Sequence, residues 1–203
     1  MATYADDEIY PNQPLSDVAC EVKFPGEVAV ESQRHTFWER IRANYPTVLV
    51  PRAKSGEPPA LQHYKFRCAA GDRTVSVALN SVAYAETKYR GHGAFLSEFS
   101  ELVTQFRDCY PALREPNRVG WRYINVLPFA RESGLVPIGR FLRLNVSLPD
   151  GLFSATRNLD LQWEGVRDNR RIVFRLASIE AKGQPGQEAL LADIDCSIEG
   201  EGQ

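Results

Sequence analysis

The sequence lacks the cysteine and histidine spacings that mark metal sites, disulfide frameworks and catalytic triads. Its four cysteines and three histidines are scattered over 203 residues, and no two cysteines form a Cys-x-x-Cys pair. We therefore expect buried free thiols at Cys20, Cys68, Cys109 and Cys196. No nucleophile-elbow, phosphate-binding or dinucleotide-binding pattern is present either. These absences argue against the enzyme classes that such motifs identify.

Long hydrophobic runs and a secretion signal are also missing. No apolar stretch approaches the about 18 residues that a bilayer requires, so we expect no membrane span. Residues 1–8 are acidic where a secretion signal would be basic and then apolar, which predicts a cytoplasmic protein. With 43% hydrophobic and 25% charged residues, the chain fits one domain with one substantial core.

Lysine is absent from residues 111–180, although this segment is rich in arginine. It holds eleven arginines and seven acidic residues, a local charge of +4 in a chain of net charge −2. This asymmetry is compatible with an anionic ligand for the second half of the chain. A solvated sheet face explains it equally well without a ligand.

Apolar periodicity predicts two long helices. Residues 94–110 place six apolar side chains at helical spacing, namely Phe95, Phe99, Leu102, Val103, Phe106 and Tyr110. A second amphipathic helix is predicted over residues 27–44, ending before Pro46.

Period-two alternation predicts the strands. The first strand is predicted at residues 15–24, and several antiparallel strands are predicted between residues 62 and 89. In the second half, strands are predicted at residues 117–129, 140–148, 156–163, 171–179 and 189–198. Residues 117–129 are apolar or aromatic on both faces, which indicates a central strand that joins two halves.

This order of elements predicts an α+β fold. We expect a large curved antiparallel sheet of about eight strands with two long helices on one face, and an imperfect duplication of a strand-helix-strands unit. Residues 1–14 are a flexible lead-in, 15–198 a single domain and 199–203 a tail. Within the domain, residues 15–111 hold both helices and 117–198 are strand-rich.

A shortage of helices leads to the first functional hypothesis. About eight strands at about 4.8 Å spacing make a sheet on the order of 38 Å wide, and two helices of about 10 Å diameter cover roughly half of it. Either the sheet curls around a helix into an incomplete barrel, or another chain covers the second half. We therefore expect a non-catalytic binding module with a protein partner or a second copy. A small-molecule ligand is an alternative occupant, and no cofactor is expected.

Acidic residues of the last strand suggest an alternative function. Asp193 and Asp195 project from one strand face about 7 Å apart, a spacing that suits one divalent cation, and Glu21 of the first strand can join them. The alternative is a metal-assisted phosphohydrolase or nucleotide-processing enzyme that uses these carboxylates.

Arginines and one amide complete the candidate ligand-binding residues. Arg122, Arg143 or Arg175 would hold a phosphate in the alternative enzyme. Asn125 must find hydrogen-bond partners if it is buried, so it is either a structural clamp or part of a ligand site. A second alternative is nucleic-acid binding through the arginine-rich half, although the acidic chain and the lack of lysine clusters disfavour it.

Several segments carry a family resemblance. They are Pro14-Leu15 followed by Glu21-Val22-Lys23-Phe24, then Tyr89, then Arg118-Val119-Gly120-Trp121-Arg122-Tyr123-Ile124-Asn125, and finally Leu191-Ala192-Asp193-Ile194-Asp195. From about residue 10 to 198, the chain resembles a sporadically distributed bacterial family of uncharacterised proteins with a central Arg-x-Gly-x-Arg-Tyr-Ile-Asn strand and a late Asp-Ile-Asp strand.

The resemblance implies a context more than a mechanism, since the family has no established reaction. Its patchy occurrence implies an accessory role in a bacterial defence-type or mobile-element system. Similar proteins continue past the Asp-Ile-Asp strand into a further helix, so this chain resembles a C-terminally short member. The missing helix strengthens the expectation of a dimer or a bound partner.

Overall fold

The computed structural model describes residues 13–50, 63–141, 158–180 and 187–200. Its strands are β1 (Leu15–Lys23), β2 (Thr47–Leu49), β3 (Tyr64–Arg67), β4 (Arg73–Ala78), β5 (Ser81–Glu86), β6 (Arg118–Phe129), β7 (Asp160–Arg167), β8 (Arg170–Glu180) and β9 (Glu188–Glu199). Its helices are α1 (Val28–Ser32), α2 (Arg34–Ile41), α3 (His92–Cys109) and α4 (Ile138–Phe141).

The described strands form one open antiparallel sheet in the order β2-β3-β4-β5-β1-β6-β9-β8-β7. An antiparallel sheet with helices is the predicted α+β class, with nine strands in these ranges where about eight were expected. Strand β6 lies between β1 and β9, so it joins the two halves as its doubly apolar pattern predicted. The predicted internal duplication stays a prediction.

The prediction of two long helices is not confirmed. Helix α3 has 18 residues, whereas the helix predicted over residues 27–44 is divided into α1 and α2, of five and eight residues. The division falls at Gln33, whose ψ of 27° departs from helical geometry. The Gln33 carbonyl accepts a hydrogen bond from the Tyr110 hydroxyl at 3.1 Å, a contact that the local sequence does not reveal.

Helix α3 begins two residues earlier than predicted. Gly91 precedes it with a φ of 102°, a conformation that glycine adopts without the steric penalty of a side chain. Its buried residues are Phe95, Phe99, Leu102 and Phe106, as the apolar periodicity predicted.

No helix in the described ranges is both long and apolar enough to cross a membrane.

Helices α2 and α3 pack on the face of the sheet that we call the helix-side face. Phe37 of α2 contacts Phe66 of β3 with ring centroids 6.4 Å apart, and Phe95 of α3 lies 4.9 Å from both Tyr84 of β5 and Trp121 of β6. One core cluster includes these rings and the alternating apolar residues of β1, β4 and β5. This cluster therefore lies mainly under the first half of the described chain.

The strand register carries the same alternation into the second half. Tyr123 pairs with Ile194, Ile194 with Phe174, and Phe174 with Trp163, so four adjacent strands present one row on the helix-side face. Directly paired residues in antiparallel strands share a face. The apolar residues of this row therefore share one face of the sheet.

The strand predicted at residues 140–148 needs a correction at its start. Arg140 and Phe141 belong to the short helix α4, because the Arg140 amide donates to the Pro137 carbonyl at 3.1 Å and closes a turn. Residues 142–148 lie outside the described residues, as do 156 and 157 of the next predicted strand. That strand, β7, begins at Asp160 and continues four residues beyond the predicted end.

Candidate functional site

The sheet face opposite the helices gathers most of the predicted polar residues, and we call it the polar face. Arg122 pairs in register with Asp195, and Arg175 with Asp193, which places all four on this face of β6, β9 and β8. Residues i and i+2 of a strand share a face, so Arg118 and Arg171 join them. The polar face is therefore lined by alternating guanidinium and carboxylate groups.

Arg122 forms the tightest contact of the polar face. Its Nε and Nη2 donate to the two carboxylate oxygens of Asp193 at 2.8 and 2.5 Å, a bidentate geometry that favours both charges. Hydrogen bonding to Asp193 raises the pKa of Arg122 above its usual value. Asp193 is largely buried, while half of the Arg122 side chain is exposed. The arginine thus shields a carboxylate that would otherwise be costly to bury.

Arg118 connects the other two predicted carboxylates. Its Nη1 lies 3.3 Å from Glu21 Oε2, and its Nη2 lies 3.4 Å from both oxygens of Asp195. Glu21 and Asp195 therefore flank one guanidinium and do not adjoin each other at a shared cation position. Arg118 was not predicted as a site residue, because only the strand register brings it between these acids.

Two further bidentate pairs complete the polar face at β7 and β8. Arg171 donates to Glu164 at 2.7 and 2.8 Å, and Arg175 donates to Asp160 at 3.2 and 2.9 Å. These hydrogen bonds hold the pKa values of Glu164 and Asp160 below their usual ranges. Each pair runs diagonally between neighbouring strands, where long side chains can reach one another.

A shallow cavity of about 320 Å³ lies on the polar face. Its lining residues are Arg122, Gln162, Arg171, Val173, Arg175, Asp193 and Asp195. Because each of its three arginines already holds a carboxylate in bidentate geometry, an anionic ligand would have to displace a carboxylate. The cavity thus has the right residue types for phosphate binding, but its guanidinium donors are already engaged.

The structure brings together four of the predicted residues in one cavity, and Glu21 and Asn125 do not line it. Arg122, Arg175, Asp193 and Asp195 line one cavity. Asn125 lies on the helix-side face, where its amide donates to the Ala192 carbonyl at 3.3 Å. The choice between a structural clamp and a ligand-site role for Asn125 stays a prediction. Arg143 lies outside the described residues.

The metal-dependent alternative requires carboxylates that are free to bind a cation. Both oxygens of Asp193 accept hydrogen bonds from Arg122, so a cation there would compete with a guanidinium. In the parts of the chain that the structure describes, no group of three or more His, Cys, Asp or Glu residues could hold a metal ion. The metal-dependent and nucleic-acid alternatives stay predictions.

The helix-side face of the second half is covered at one end and open at the other. Leu176 and Leu190 are completely buried. The residues at the open end form what we call the open patch, which comprises Val119, Trp163, Ile172, Phe174, Ile194 and Ile198. Four of them, Val119, Trp163, Ile194 and Ile198, have exposed fractions of 40, 40, 37 and 48%. A contiguous group of exposed large apolar residues is typical of interaction surfaces.

Sequence reasoning missed a buried ionic cluster beneath α3. Glu98 accepts hydrogen bonds from Arg73 and Arg90, and it also contacts the Tyr45 hydroxyl. Burial acts to raise the pKa of Glu98, but these hydrogen bonds outweigh it and hold the pKa below its usual range. Arg90 also binds Glu86, which is completely buried. The ion pairs of this cluster connect α3 to the strands of the first half, and no local sequence pattern predicts them.

Comparison with known proteins gives no assignment. No protein-family model matches this chain, and no curated protein does. Apart from Tyr89, the segments that carry the resemblance lie on or directly beside β1, β6 and β9, three strands that are adjacent in the sheet. Their proximity agrees with a shared structural role, and the family resemblance itself stays a prediction.

Proposed function

We propose that this protein is a non-catalytic binding module that holds an apolar face of a protein partner on the open patch. The observation that carries the proposal is the exposure of Val119, Trp163, Ile194 and Ile198 on a sheet face that helices cover elsewhere. Removing this apolar surface from water on binding is favourable, at about 25 cal/mol per Å².

The shape of the open patch suits a helix of the partner. It extends across β6, β9, β8 and β7, whose outer axes are about 14 Å apart at a strand spacing of about 4.8 Å. An α-helix of about 10 Å diameter fits this width. In the first half, the aromatic side chains of α2 and α3 fill the same face in this way. An amphipathic helix is therefore the occupant whose chemistry the patch matches.

The polar face supports binding over catalysis as the role of the second half. Its arginines and carboxylates are paired with one another, so none of the pairs presents an unengaged acid, base or nucleophile. From the family resemblance, we further propose that the partner belongs to a bacterial defence-type or mobile-element system.

The proposal is tested by a charge placed in the open patch. Ile194→Asp introduces a carboxylate at the centre of the open patch. Val28→Asp introduces the same charge at a valine of α1 that is 71% exposed and lies outside the patch. Proteins that co-purify with the wild type from its native host are quantified by mass spectrometry. A partner that is lost with Ile194→Asp and kept with Val28→Asp is then purified, and its binding and helicity are measured directly.

The expected result is a loss of partner binding on the order of tenfold or more for Ile194→Asp alone, because a charge would be desolvated on binding. Circular dichroism checks that both variants are folded. A partner set that is identical for wild type and folded Ile194→Asp would contradict the proposal.

A further inference from the structure

The outer strand of the second half has features that a protected sheet edge lacks. Of the described strands, β7 and β2 form the two edges of the sheet. Strand β2 has three residues, whereas β7 has eight and contains neither proline nor lysine. Its pairing with β8 runs without a register shift, so no bulge turns it away. Monomeric proteins protect their edges with short strands, charged side chains (especially lysine), proline or bulges. The acids of β7, Asp160 and Glu164, are ion-paired with Arg175 and Arg171 of β8.

The backbone direction of β7 can be read from its pairing with β8. The Ser178 amide donates to the Leu159 carbonyl at 2.8 Å, so residue 159 directs its backbone groups toward β8. Alternate residues of an antiparallel strand face the same neighbour. The odd residues of β7 therefore bond to β8, while the N–H and C=O groups of Asp160, Gln162, Glu164 and Val166 point outward.

The side chains of this edge are open as well. Val166 is 78% exposed and Trp163 is 40% exposed, with its indole stacked on Phe174 at 5.7 Å. A side chain added at Gly165 would meet nothing within 4 Å. An incoming strand would thus find outward backbone groups, an exposed ring and open space at Gly165.

We infer that a second copy of this chain pairs with β7, strand to strand, about a two-fold axis at Trp163. A two-fold axis perpendicular to the sheet leaves the helix-side faces of both copies on one side of the joined sheet and the polar faces on the other. Residues paired across the junction must therefore both have even numbers or both have odd numbers. Trp163 then lies opposite Trp163 of the second copy, Gln162 opposite Glu164, and Asp160 opposite Val166. The neighbouring registers are worse: centring on Glu164 opposes two glutamates, and centring on Gln162 opposes Asp160 to Glu164.

The Trp163 register also uses every outward backbone group. The even residues form hydrogen-bonded pairs, which gives about eight backbone hydrogen bonds across the junction, near the typical number for a stable interface. The two tryptophans occupy a non-hydrogen-bonded position, where side chains approach most closely and aromatic pairs stabilise a sheet. The two open patches become continuous, and Trp163 is shared by this junction and the patch of the proposed function.

The register is tested with two opposite charges at one position. Val166 lies opposite Asp160 of the second copy, and hydrogen bonds from Arg175 keep the pKa of Asp160 low and its carboxylate ionised. Val166→Glu therefore opposes like charges twice, whereas Val166→Lys opposes unlike charges twice. Sedimentation velocity of the full chain over a concentration series measures the dimer dissociation constant.

We expect a wild-type dimer, a dissociation constant on the order of tenfold weaker for Val166→Glu, and one equal to or tighter than wild type for Val166→Lys. Equal weakening by both charges would overturn the register. Gln162→Pro removes an outward N–H and leaves the β7–β8 hydrogen bonds intact, so it should also favour the monomer. A dimer that Gln162→Pro leaves unchanged would overturn the β7 junction.

The outcome also separates this inference from the proposed function. A wild-type chain that remains monomeric up to about 100 µM, yet binds a partner through Ile194, overturns the dimer alone. A dimer with the expected response to Val166→Glu, but with no Ile194-dependent partner, overturns the proposed function alone.

Discussion

The two halves of the sheet carry similar apolar patterns but differ in what covers them. In the first half, α2 and α3 bury Phe37, Phe95 and Phe106 against the strands almost completely. In the second half, the same face leaves Trp163 and Ile194 more than a third exposed. An apolar strand pattern therefore indicates which face of a sheet tends to be buried. It does not indicate which part of the molecule covers that face.

The halves also use charge differently. The first half buries Glu86 and partly buries Glu98 beneath α3, where two arginines bind them. The second half displays its arginines and acids along a solvent-facing sheet surface. Buried pairs are expensive to break, whereas exposed pairs contribute little to stability. The comparison can therefore be tested by matched substitutions in the two halves.

The largest expected difference comes from removing one phenylalanine ring in each half. Phe95→Ala should destabilise the protein by about 3–5 kcal/mol, because Phe95 is completely buried and packs 4.9 Å from Tyr84 and Trp121. Phe174→Ala should cost roughly 1–2 kcal/mol, because Phe174 is only partly buried. Urea denaturation measures both values, and equal losses would contradict the difference between the halves.

A smaller effect is expected from the ionic cluster. Glu98→Gln should cost roughly 2 kcal/mol because it leaves Arg73 and Arg90 without their shared carboxylate. Glu164→Gln, at an exposed pair, should have a clearly smaller effect. The pKa of Glu98 is lower in the folded chain than its ordinary value of 4.5. Its stabilisation is therefore present above pH 4.5 and is lost as the pH falls through the folded pKa.

Thermal unfolding between pH 3 and pH 7 provides the measurement for the cluster. Wild type and Glu164→Gln should lose stability on acidification more steeply than Glu98→Gln. Parallel curves for all three proteins would show that the cluster contributes nothing that depends on its ionisation.

The next effect concerns the polar face. Asp193→Asn should destabilise the chain by about 1 kcal/mol, because it weakens the bidentate bond with a half-exposed Arg122. Calorimetry with Mg²⁺ or Mn²⁺ should show no heat that this substitution removes, since Arg122 occupies both oxygens of Asp193. Binding heat that disappears in Asp193→Asn would favour the metal-dependent alternative.

The smallest expected difference is in the alkylation rates of two cysteine thiols, and it involves no change in stability. Trp121 pairs with Cys20 on one side and with Cys196 on the other, so the two cysteines flank one ring. Burial raises the pKa of Cys20 to about 12, and Cys20 is 1% exposed, whereas Cys196 is only partly buried. Alkylation of the folded protein at pH 8, followed by mass spectrometry, should modify Cys196 well before Cys20. Equal rates would contradict the difference in cover.

Much of the fold could be predicted because its signals are local. The pattern of α3 and the alternation of β6, β8 and β9 follow from side-chain periods of 3.6 and two residues, which each segment carries by itself. The division of α1 from α2 was not predicted, and the Gln33 carbonyl at the division accepts a hydrogen bond from Tyr110, 77 residues away in sequence. Similarly, Arg118 reaches Glu21 and Asp195 only through strand pairing.

The candidate site was predictable in its residue types and not in its geometry. Alternation predicted that Asp193 and Asp195 share one strand face, and the strand register places Arg122 and Arg175 on the same face. Alternation could not show that the guanidinium groups bind the acids in place of a ligand, because that depends on which strands are neighbours. The exposure of Trp163 and the position of β7 at the edge of the described sheet likewise depend on strand order.

By itself, the sequence determined which residues face together along each strand and helix, because that depends on local backbone geometry and a repeating pattern of polarity. Only the tertiary structure decided which strands adjoin, which carboxylates meet which arginines, and which apolar surface stays open. Those outcomes depend on contacts between residues far apart in the chain, whose energies become available only when the whole sheet has formed.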